Sequence, residues 1–485
     1  MTTPYSITIG LEIHVQLKTA SKMFCSCSTA FGAPPNSQVC PVCLGLPGSL
    51  PVINRAAFAL AVRTALALAC DISPLTRFDR KSYYYPDLPK NYQISQYDLP
   101  FSHDGRLDIP TPDGAVKSIG IIRVHLEEDA GKLLHTPAGD SLVDLNRTGV
   151  PLMEIVTQPD IHSLDDLHEF LLAIRLLLTY LDVSNCNMEE GNIRCDANIS
   201  VQVARDGRSL STPISEIKNM NSFSACEHAM AFEADRLYRW FLDTGLTIDT
   251  APKQTRGWDD DRAVTVAQRQ KEEASDYRYF PDPDLVPVTV ESAWLDAIRA
   301  EVPELPLARR RRFVRDFGLS DYDASVLTSD RALADYFEHI LAYIKDPKTA
   351  CNWITQNVLR DSKARNMSTA DYTIAMPPEK LSGYIQLVTD GTVSISAAKD
   401  AYPEYFESND KPLEFAEREG FIQVSDTAQL AKWIDDVIAA NPKAVADYRS
   451  GKEATFKFLV GMVMKAARGK ANPQAVNSLL KEKLK

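Results

Sequence analysis

The amino-acid sequence predicts an α+β protein, in which a large and mainly antiparallel sheet domain, a cradle, precedes a helical domain and a small helical tail domain. The 485 residues correspond to roughly three domains at about 150 residues each. Alternating apolar and polar residues occur in the first part of the chain, whereas charged helical segments dominate after about residue 295. We therefore expect a cradle domain over 1–295, a helical domain over 296–411 and a helical tail over 412–485.

Two segments show the alternation of a half-buried β-strand. In residues 6–17 and again in residues 193–203, every second side chain is apolar and those between them are mostly polar. Glu12 and His14 therefore share the polar face of the first predicted strand. Asp196 lies on the polar face of the second, so both strands expose a carboxylate away from the core.

The spacing of apolar residues predicts helices, and clusters of proline predict domain boundaries. Apolar residues recur at helical spacing in 54–70 and in 163–181, where Ser163 precedes an acidic first turn. A cluster of prolines marks the first predicted boundary: Pro281, Pro283, Pro287, Pro303 and Pro306. A second break falls at 408–412, so the three domains are separated by turn-forming sequence.

The composition excludes several classes of protein. With 45% hydrophobic, 24% charged and 8% aromatic residues, the chain can bury large cores, which excludes a disordered or collagen-like protein. No apolar run approaches the ~20 residues of a membrane span. The first residues enter the alternating pattern directly, without a signal or transit peptide. We expect a cytoplasmic protein with no membrane partner.

Four of the nine cysteines form two closely spaced pairs, Cys25-x-Cys27 and Cys40-x-x-Cys43. Four thiolates in two such pairs can bind zinc in a closed tetrahedral site, which leaves no coordination position for a substrate. The alternative is four unrelated buried thiols. We favour a structural zinc knuckle that holds a loop.

The net charge of -12 is unevenly distributed. From Lys452 to the end, eight basic residues stand against two acidic ones. A basic appendage on an acidic body is typical of a polyanion-binding arm, because neutralised phosphates supply most of the non-specific affinity for nucleic acid. A solvated helix surface that happens to be basic is the alternative.

Several acidic residues are candidates for one site. Glu12 and His14 could converge with six other acidic positions: Glu127, Glu128 and Asp129 at the end of a strand-like stretch, then Glu154, Asp196 and Glu216. Clustered carboxylates repel each other unless a hard cation joins them, and magnesium beside phosphate oxygens is the usual case. The alternative is that each carboxylate is separately solvated or ion-paired.

A tyrosine-rich block over residues 79–100 could form the wall of a nucleotide site. It combines Lys81 with Tyr83, Tyr84, Tyr85 and Tyr92, and tyrosines can stack on a base while Lys81 meets a phosphate. A packed tyrosine-rich turn explains the block nearly as well. The sequence contains neither G-x-x-x-x-G-K-[ST] nor G-x-G-x-x-G, so a P-loop and a Rossmann crevice are excluded. It also lacks a Gly/Ser-rich amidase nucleophile segment, so any ammonia it consumes must come from another protein.

Long motifs in a fixed order resemble one family. The chain contains, in this order, the motifs GLEIHVQL, LPGSLPVIN, FDRKSYYYPDLPKNYQISQ, HLEEDAGK, DLNRTGVPLMEIVT, RCDANIS, EIKNMNSF and DYRYFPDPDL. In these motifs and in their order it resembles the GatB family, the B subunits of the tRNA-dependent amidotransferases. The resemblance covers nearly the whole chain. It implies a glutamine-hydrolysing carbon–nitrogen ligase, a heterotrimer with the GatA and GatC subunits, that binds misacylated Glu-tRNA(Gln) or Asp-tRNA(Asn). The GatB chain would transfer the γ-phosphate of ATP to the side-chain carboxylate. Ammonia from GatA would then displace the phosphate and form the amide.

The resemblance also implies roles for individual residues. Three groups are expected: magnesium ligands Glu12, His14, Glu127, Glu128 and Glu216; ATP-site residues Lys81, Tyr83 and Tyr84, with Glu154 and Asp196 as further catalytic residues; and tRNA-binding residues Lys465, Arg468 and Lys470. His14 is a softer ligand than magnesium prefers, which favours manganese or an intervening water.

Two positions depart from the family pattern. The family usually reads G-T-x-x-E before Glu216, whereas this chain reads STPISE with Pro213, and Asn192 replaces a commoner serine. A function of another kind stays open beside the kinase, namely a non-catalytic tRNA-binding scaffold with a zinc knuckle. The intact set of carboxylates favours the kinase, because carboxylates repel RNA phosphates.

Overall fold

A computed structural model describes residues 5–111, 113–136, 138–205, 207–268, 277–423, 427–467 and 471–484. The chain divides into two compact units, Met1–Ala308 and Arg309–Lys485. Among the described residues, the first unit contains the sheets and the helices up to Glu301, and the second is mainly helical. The α+β fold class predicted from the sequence, with a large mainly antiparallel sheet followed by a helical region, is confirmed.

The described strands all lie in the first unit. In chain order they are β1 (Tyr5–Gln16), β2 (Asp71–Ile72), β3 (Leu75–Thr76), β4 (Asp79–Ser82), β5 (Tyr92–Ser95), β6 (Ser102–Pro110), β7 (Val116–Glu128), β8 (Lys132–His135), β9 (Ser141–Asp144), β10 (Pro151–Thr157), β11 (Ile193–Arg205), β12 (Arg208–Ser211), β13 (Ser215–Met220), β14 (Gln254–Asp259), β15 (Val264–Ala267), β16 (Phe280–Pro281) and β17 (Val288–Thr289). Ten of them form one sheet in the order β15-β14-β13-β11-β1-β10-β7-β6-β2, with β12 beside β11. Its neighbouring strands are antiparallel except for the parallel pair β13 and β14. Smaller sheets pair β16-β4-β5, β17 with β3, and β8 with β9.

The two predicted alternating strands are direct neighbours at the centre of this sheet. β1 pairs with β11 from Tyr5 opposite Val203 to Val15 opposite Ile193. The apolar side chains of both strands are buried in one core, and the polar side chains between them are partly exposed on the other face. The predicted alternation is therefore confirmed, and we call the second face the polar face of the sheet.

Helices cover the apolar face. They are α1 (Arg55–Ala67), α2 (Leu164–Tyr180), α3 (Phe223–Thr244) and α4 (Ser292–Glu301). Asn54 caps α1 and accepts hydrogen bonds from the amides of Ala56 and Ala57. Ser163 caps α2, whose first turn is acidic as predicted. Both predicted helices therefore exist, and each starts where a side chain satisfies free backbone N–H groups.

From residue 306 the chain is mainly helical. The helices are α5 (Pro306–Phe317), α6 (Asp321–Leu327), α7 (Arg331–Leu341), α8 (Pro347–Trp353), α9 (Leu359–Ala364), α10 (Thr369–Ala375), α11 (Pro378–Thr389), α12 (Ile395–Glu407), α13 (Pro412–Arg418), α14 (Thr427–Ala440), α15 (Pro442–Arg449), α16 (Ala454–Ala466) and α17 (Pro473–Leu484). A π-helical turn, Ile354–Val358, joins α8 to α9. The second unit has two hydrophobic cores, one built from residues between Phe313 and Ala416 and one from residues between Leu430 and Leu484. In the described part of the chain, no helix is both long and apolar enough to cross a bilayer.

Candidate functional site

Three side chains that could bind a metal ion meet on the polar face of the sheet. His14 of β1 lies opposite Glu154 of β10, and the strand after that, β7, brings Glu127 beside them. One ligand atom from each residue lies within 4.8 Å of the other two. His14 Nε2 is 3.4 Å from Glu154 Oε2. We call His14, Glu127 and Glu154 the His-Glu cluster.

His125 supports this cluster from the same strand as Glu127. Its Nε2 lies 3.3 Å from Glu127 Oε1 and 3.4 Å from Glu154 Oε2. The imidazole is buried, and its Nδ1 has no hydrogen-bond partner within the described residues. Sequence reasoning missed His125, although its spacing of two residues from Glu127 already places both on one face of a strand.

The electrostatics of the cluster favour charged carboxylates. Burial alone raises the pKa of the Glu154 carboxyl, but His125, His14 and Lys81 outweigh burial and the net pKa is lowered. Burial also raises the pKa of Glu127, and again the hydrogen bond from His125 and the charge of Lys81 bring it below the usual value. Burial lowers the pKa of His14, yet its hydrogen bond to Glu154 and the nearby carboxylates raise it overall. The two carboxylates therefore stay ionised, and a metal ion that binds His14 would have to displace the proton that its raised pKa favours.

Lys81 lies beside the cluster among tyrosine rings. Burial lowers the pKa of Lys81, but Glu127 and other neighbours raise it above the usual value, so the ammonium stays charged. Its Nζ lies 5.0 Å from the ring centroid of Tyr277. Tyr83 packs edge-on against Tyr277 with centroids 5.9 Å apart, and Tyr279 stacks on Tyr97 at 4.1 Å. Tyr83 and Tyr97 of the predicted block therefore pack against Tyr277 and Tyr279, which follow much later in the chain, and we call Tyr83, Tyr277 and Tyr279 the tyrosine wall.

Tyr84 is not part of this wall. Its side chain is 79% exposed, whereas Tyr83 is half-buried. The Tyr83 hydroxyl lies 3.4 Å from Gln93 Oε1, and Gln93 in turn donates to Glu127 Oε2 at 3.1 Å. The structure therefore connects Tyr83 to the His-Glu cluster through Gln93 and leaves Tyr84 in solvent.

A second polar group lies further along the same face. Lys218 Nζ is 2.5 Å from Asp196 Oδ2 and 2.5 Å from Glu216 Oε1, and Lys253 Nζ is 3.1 Å from Glu216 Oε2. Burial raises the pKa of Glu216, but the two lysines outweigh it and lower the pKa to about 2. We call Asp196, Glu216, Lys218 and Lys253 the lysine cluster. Neither lysine is among the residues predicted from the sequence, although Lys218 lies two residues after Glu216 on one strand and therefore on the same face.

Glu12 lies between the two clusters. It is next to His14 on the polar face of β1 and opposite Asp196 in the pairing of β1 with β11. Asn198 Nδ2 donates a hydrogen bond of 3.1 Å to Glu12 Oε1. The structure therefore places Glu12 on the same face as the His-Glu cluster, where it accepts a hydrogen bond from the Asn198 amide and has no ion pair with any described residue.

Glu128 is separated from the His-Glu cluster. It forms a buried ion pair with Lys90, and it accepts a 2.9 Å hydrogen bond from the backbone amide of Ile94. Successive residues of a strand point to opposite faces, so Glu127 and Glu128 cannot both face one cation without a distortion of β7. The structure brings together Glu127, His14 and Glu154, and it gives Glu128 and Glu216 other partners.

The four paired cysteines also come together. Ligand atoms of Cys25, Cys27, Cys40 and Cys43 lie within 4.8 Å of one another, and the Cys40 and Cys43 Sγ atoms are 3.9 Å apart. Zn–S bonds of about 2.3 Å in a tetrahedron place neighbouring sulfurs about 3.8 Å apart, so the cysteines fit a zinc ion. The buried Lys22 Nζ lies 3.7 Å from Cys43 Sγ. A hydrogen bond with Cys25 and the charge of Lys22 lower the pKa of the Cys43 thiol, which favours the thiolate that a metal needs.

The basic tail is described only in part. Lys465 is an exposed residue in the last turn of α16. Arg468 and Lys470, which the sequence analysis groups with Lys465, lie outside the described residues.

Comparison with known proteins identifies the class to which this fold and site belong. Residues 7–296 match the family model described as the GatB/GatE catalytic domain, which spans the sheet, the polar face and the cysteine knuckle. Residues 335–484 match the model described as the GatB domain. The chain belongs to the GatB family, as the resemblance in the sequence indicated.

Individual relatives match over their whole length. A protein of Moorella thermoacetica, named as the B subunit of aspartyl/glutamyl-tRNA(Asn/Gln) amidotransferase, is 52% identical over 483 residues, which cover 99% of this chain and 100% of the relative. Proteins with the same name from Carboxydothermus hydrogenoformans and Chlorobium phaeobacteroides are 49% and 47% identical, and each alignment covers 99% of both chains.

Proposed function

We propose that this chain is the kinase and amide-transfer subunit of a tRNA-dependent amidotransferase. It would use ATP to phosphorylate the side-chain carboxylate of Glu-tRNA(Gln), Asp-tRNA(Asn) or both, and would then form the amide with ammonia from a GatA partner. The names of its relatives support the substrate class and the membership of a complex, in which GatA and GatC would be the other subunits. The observation that carries the chemistry is the His-Glu cluster with the half-buried, charged ammonium of Lys81 near it.

The His-Glu cluster fits a divalent cation. Cis ligands of an octahedral magnesium ion are about 3 Å apart and trans ligands about 4.2 Å, which agrees with ligand atoms that lie within 4.8 Å. We therefore propose His14, Glu127 and Glu154 as ligands of a magnesium or manganese ion. Manganese accepts an imidazole ligand such as His14 more readily than magnesium does. The ion would neutralise charge on the transferred phosphoryl group.

In the proposed reaction, side chains of this chain would orient the reactants and stabilise charge during two steps, phosphoryl transfer and amide formation. In the first, a carboxylate oxygen of the aminoacyl side chain bonds to the γ-phosphorus of ATP as the bond to ADP breaks, and the Lys81 ammonium stabilises the phosphoryl oxygens. In the second, ammonia attacks the acyl carbon, the C–O bond to phosphate breaks, and the nitrogen loses a proton as the amide forms. The tyrosine wall of Tyr83, Tyr277 and Tyr279 would exclude water from the acyl phosphate, which water would otherwise hydrolyse.

In this proposal, zinc and tRNA bind to different parts of the chain. Cys25, Cys27, Cys40 and Cys43 would hold a structural zinc ion, because four thiolates leave no open coordination position. The exposed Lys465 on α16 would contact tRNA phosphate together with the basic residues near it in the sequence.

The test is phosphate release from ATP by the chain assembled with GatA and GatC, with ammonium as nitrogen source. Glu-tRNA(Gln), Asp-tRNA(Asn) or no tRNA is added. We expect release only with a misacylated tRNA, and amide on the same amino acid. Glu127→Gln should reduce release by at least about 100-fold, because it removes a proposed ligand of the cation that would neutralise the transferred phosphoryl group. The matched control is Glu189→Gln, an exposed glutamate of the same unit.

The alternative function predicts a different outcome. A non-catalytic scaffold would bind both tRNAs and release no phosphate with either, and Glu127→Gln would then change nothing. That result would reject the kinase and leave tRNA binding as the function of the chain.

A further inference from the structure

Lys22 is a buried lysine without a carboxylate partner. Its residue has 0% exposure, and its Nζ lies 3.7 Å from Cys43 Sγ and 3.4 Å from the carbonyl oxygen of Leu145. In the part of the chain that the structure describes, Lys22 forms no ion pair with an aspartate or a glutamate. A buried ammonium is costly unless an anion offsets its charge, and no anion from solvent reaches a side chain without exposure. The cysteine sulfurs are therefore the groups that can offset it.

The backbone of Lys22 belongs to the cysteine knuckle. Its N–H donates a 3.0 Å hydrogen bond to the carbonyl oxygen of Cys27, and its own carbonyl accepts a 3.1 Å hydrogen bond from Asn54 Nδ2. Asn54 also caps α1. Lys22 is thus fixed between the first cysteine pair and α1, and its side chain reaches the second cysteine pair from this position.

The sulfur that Lys22 contacts is the most protected of the four. Cys43 is buried, whereas Cys25, Cys27 and Cys40 are partly exposed. Besides the Lys22 ammonium, Cys43 Sγ accepts a 3.1 Å hydrogen bond from the backbone N–H of Cys40. Because little water reaches this sulfur, the two N–H donors take the place of its solvation.

A zinc ion bound by four thiolates forms a dianionic centre, since the thiolates outweigh the charge of the metal. We infer that Lys22 offsets half of this negative charge and so strengthens the binding of zinc at the knuckle. The inference rests on the zinc site proposed above. Lys22 acts through Cys43 without touching the metal, so it is a positioning residue, as are other groups that bond to the ligands of a metal.

The test measures the zinc affinity of the full chain by competition with a chelating dye. Lys22→Met keeps a long unbranched side chain and removes the charge, and we expect it to raise the dissociation constant for Zn²⁺ at least about tenfold. Lys22→Gln keeps N–H donors without the charge and should weaken zinc binding as well. Lys18→Met is the matched control, because Lys18 is an exposed lysine of the same unit that pairs with Asp182.

Unfolding separates this role from a purely structural one. With zinc bound, the unfolding midpoint of the first unit should be lower in Lys22→Met than in the unaltered chain, because weaker binding of a ligand stabilises the folded state less. Without zinc, the midpoint of Lys22→Met should equal or exceed that of the unaltered chain, because the dianionic centre that Lys22 offsets is absent. A packing residue would instead lower both midpoints equally.

Each outcome decides a different point. Unchanged zinc affinity in Lys22→Met would overturn the inference, and so would equal losses of midpoint with and without zinc. Full zinc affinity in Lys22→Gln would show that the N–H donors and not the charge are needed, which also overturns it. If the unaltered chain binds no zinc, the zinc site proposed above fails first, and the inference fails with it.

Discussion

His125 is the residue that links the two carboxylates of the His-Glu cluster. Its Nε2 lies within 3.4 Å of an oxygen of Glu127 and of Glu154, and the ring is buried on the same strand as Glu127. A side chain of this kind fixes the orientation of metal ligands without touching the metal, and such partners control metal affinity. We therefore regard His125 as a positioning residue.

Replacing His125 should weaken metal binding more than it weakens folding. We expect His125→Ala to raise the dissociation constant for Mn²⁺ about 10- to 100-fold, because Glu127 and Glu154 lose the group that orients them. Calorimetric titration of the full chain with Mn²⁺ measures this, and His125→Gln, which retains an N–H donor, should recover part of the affinity. His103→Gln, at a half-exposed histidine of the same unit, is the control. Equal Mn²⁺ affinity in all variants would contradict the role.

Glu216 predicts a pH dependence of stability. Its pKa in the folded chain is about 2, against an ordinary value of 4.5, so its ion pairs stabilise the fold fully above pH 4.5. That stabilisation is lost as the pH falls from 4.5 through 2. Glu216→Gln should therefore cost about 2 kcal/mol at neutral pH and little near pH 2. Urea unfolding across this range checks the result, and a cost that is constant with pH would reject it.

At the scale of the strand, β7 separates two adjacent glutamates. Glu127 belongs to the His-Glu cluster whereas Glu128 faces Lys90, because neighbouring residues of a strand point to opposite sides. The Lys90 and Glu128 side chains are only 6% and 2% exposed. Two carboxylates that are consecutive in sequence therefore have different partners and lie in different environments.

The two glutamates should respond differently to the same substitution. Glu128→Gln leaves the buried Lys90 ammonium without its carboxylate, so we expect a loss of about 3 kcal/mol in unfolding free energy and unchanged Mn²⁺ affinity. Glu127→Gln should instead lower the Mn²⁺ affinity, because it removes a proposed ligand. The double variant Glu128→Gln with Lys90→Met should recover most of the lost stability, because both charges are removed together. A loss of Mn²⁺ affinity in Glu128→Gln would instead place this residue at the metal.

At the scale of the whole molecule, the chain consists of two units with different sources of stability. The first unit combines the large sheet core with the cysteine knuckle, whereas the second has two helical cores of its own. Lys22 contacts Cys43, and the Asn146 side chain accepts a hydrogen bond from the Gln38 amide between the two cysteine pairs, so the knuckle is anchored on the first unit. Loss of the proposed zinc ion should therefore lower the stability of the first unit.

Zinc removal provides the measurement. We expect a chelator to lower the unfolding midpoint of the first unit by at least about 5 °C and to leave that of the second unit unchanged. Trp258 and Trp353 are buried in the first and second unit, respectively, and can report each transition when the other tryptophans are replaced by phenylalanine. A Cys40→Ser variant should mimic the chelator. Equal shifts in both transitions would contradict the assignment of the metal to the first unit.

The sequence by itself determined the local features of this protein. The alternation in β1 and β11 placed Glu12, His14 and Asp196 on a polar face, because the side-chain period of a strand is a local property. The caps of α1 and α2 are equally local, since a side chain one position before the helix bonds its first amides. The spacing of the four cysteines indicated a common metal site, and the structure brings these cysteines together.

Only the tertiary structure decided which of these residues meet. Glu154 joins His14 and His125 because β10 lies between β1 and β7, and this order of strands depends on pairing between distant segments. Pairing of β11 with β13 likewise brings Lys218 beside Asp196, and the separate sheet β16-β4-β5 brings Lys81 near Glu127. The period of a strand tells which face a side chain occupies, whereas its partner across the sheet depends on register and strand order, which no short stretch of sequence contains.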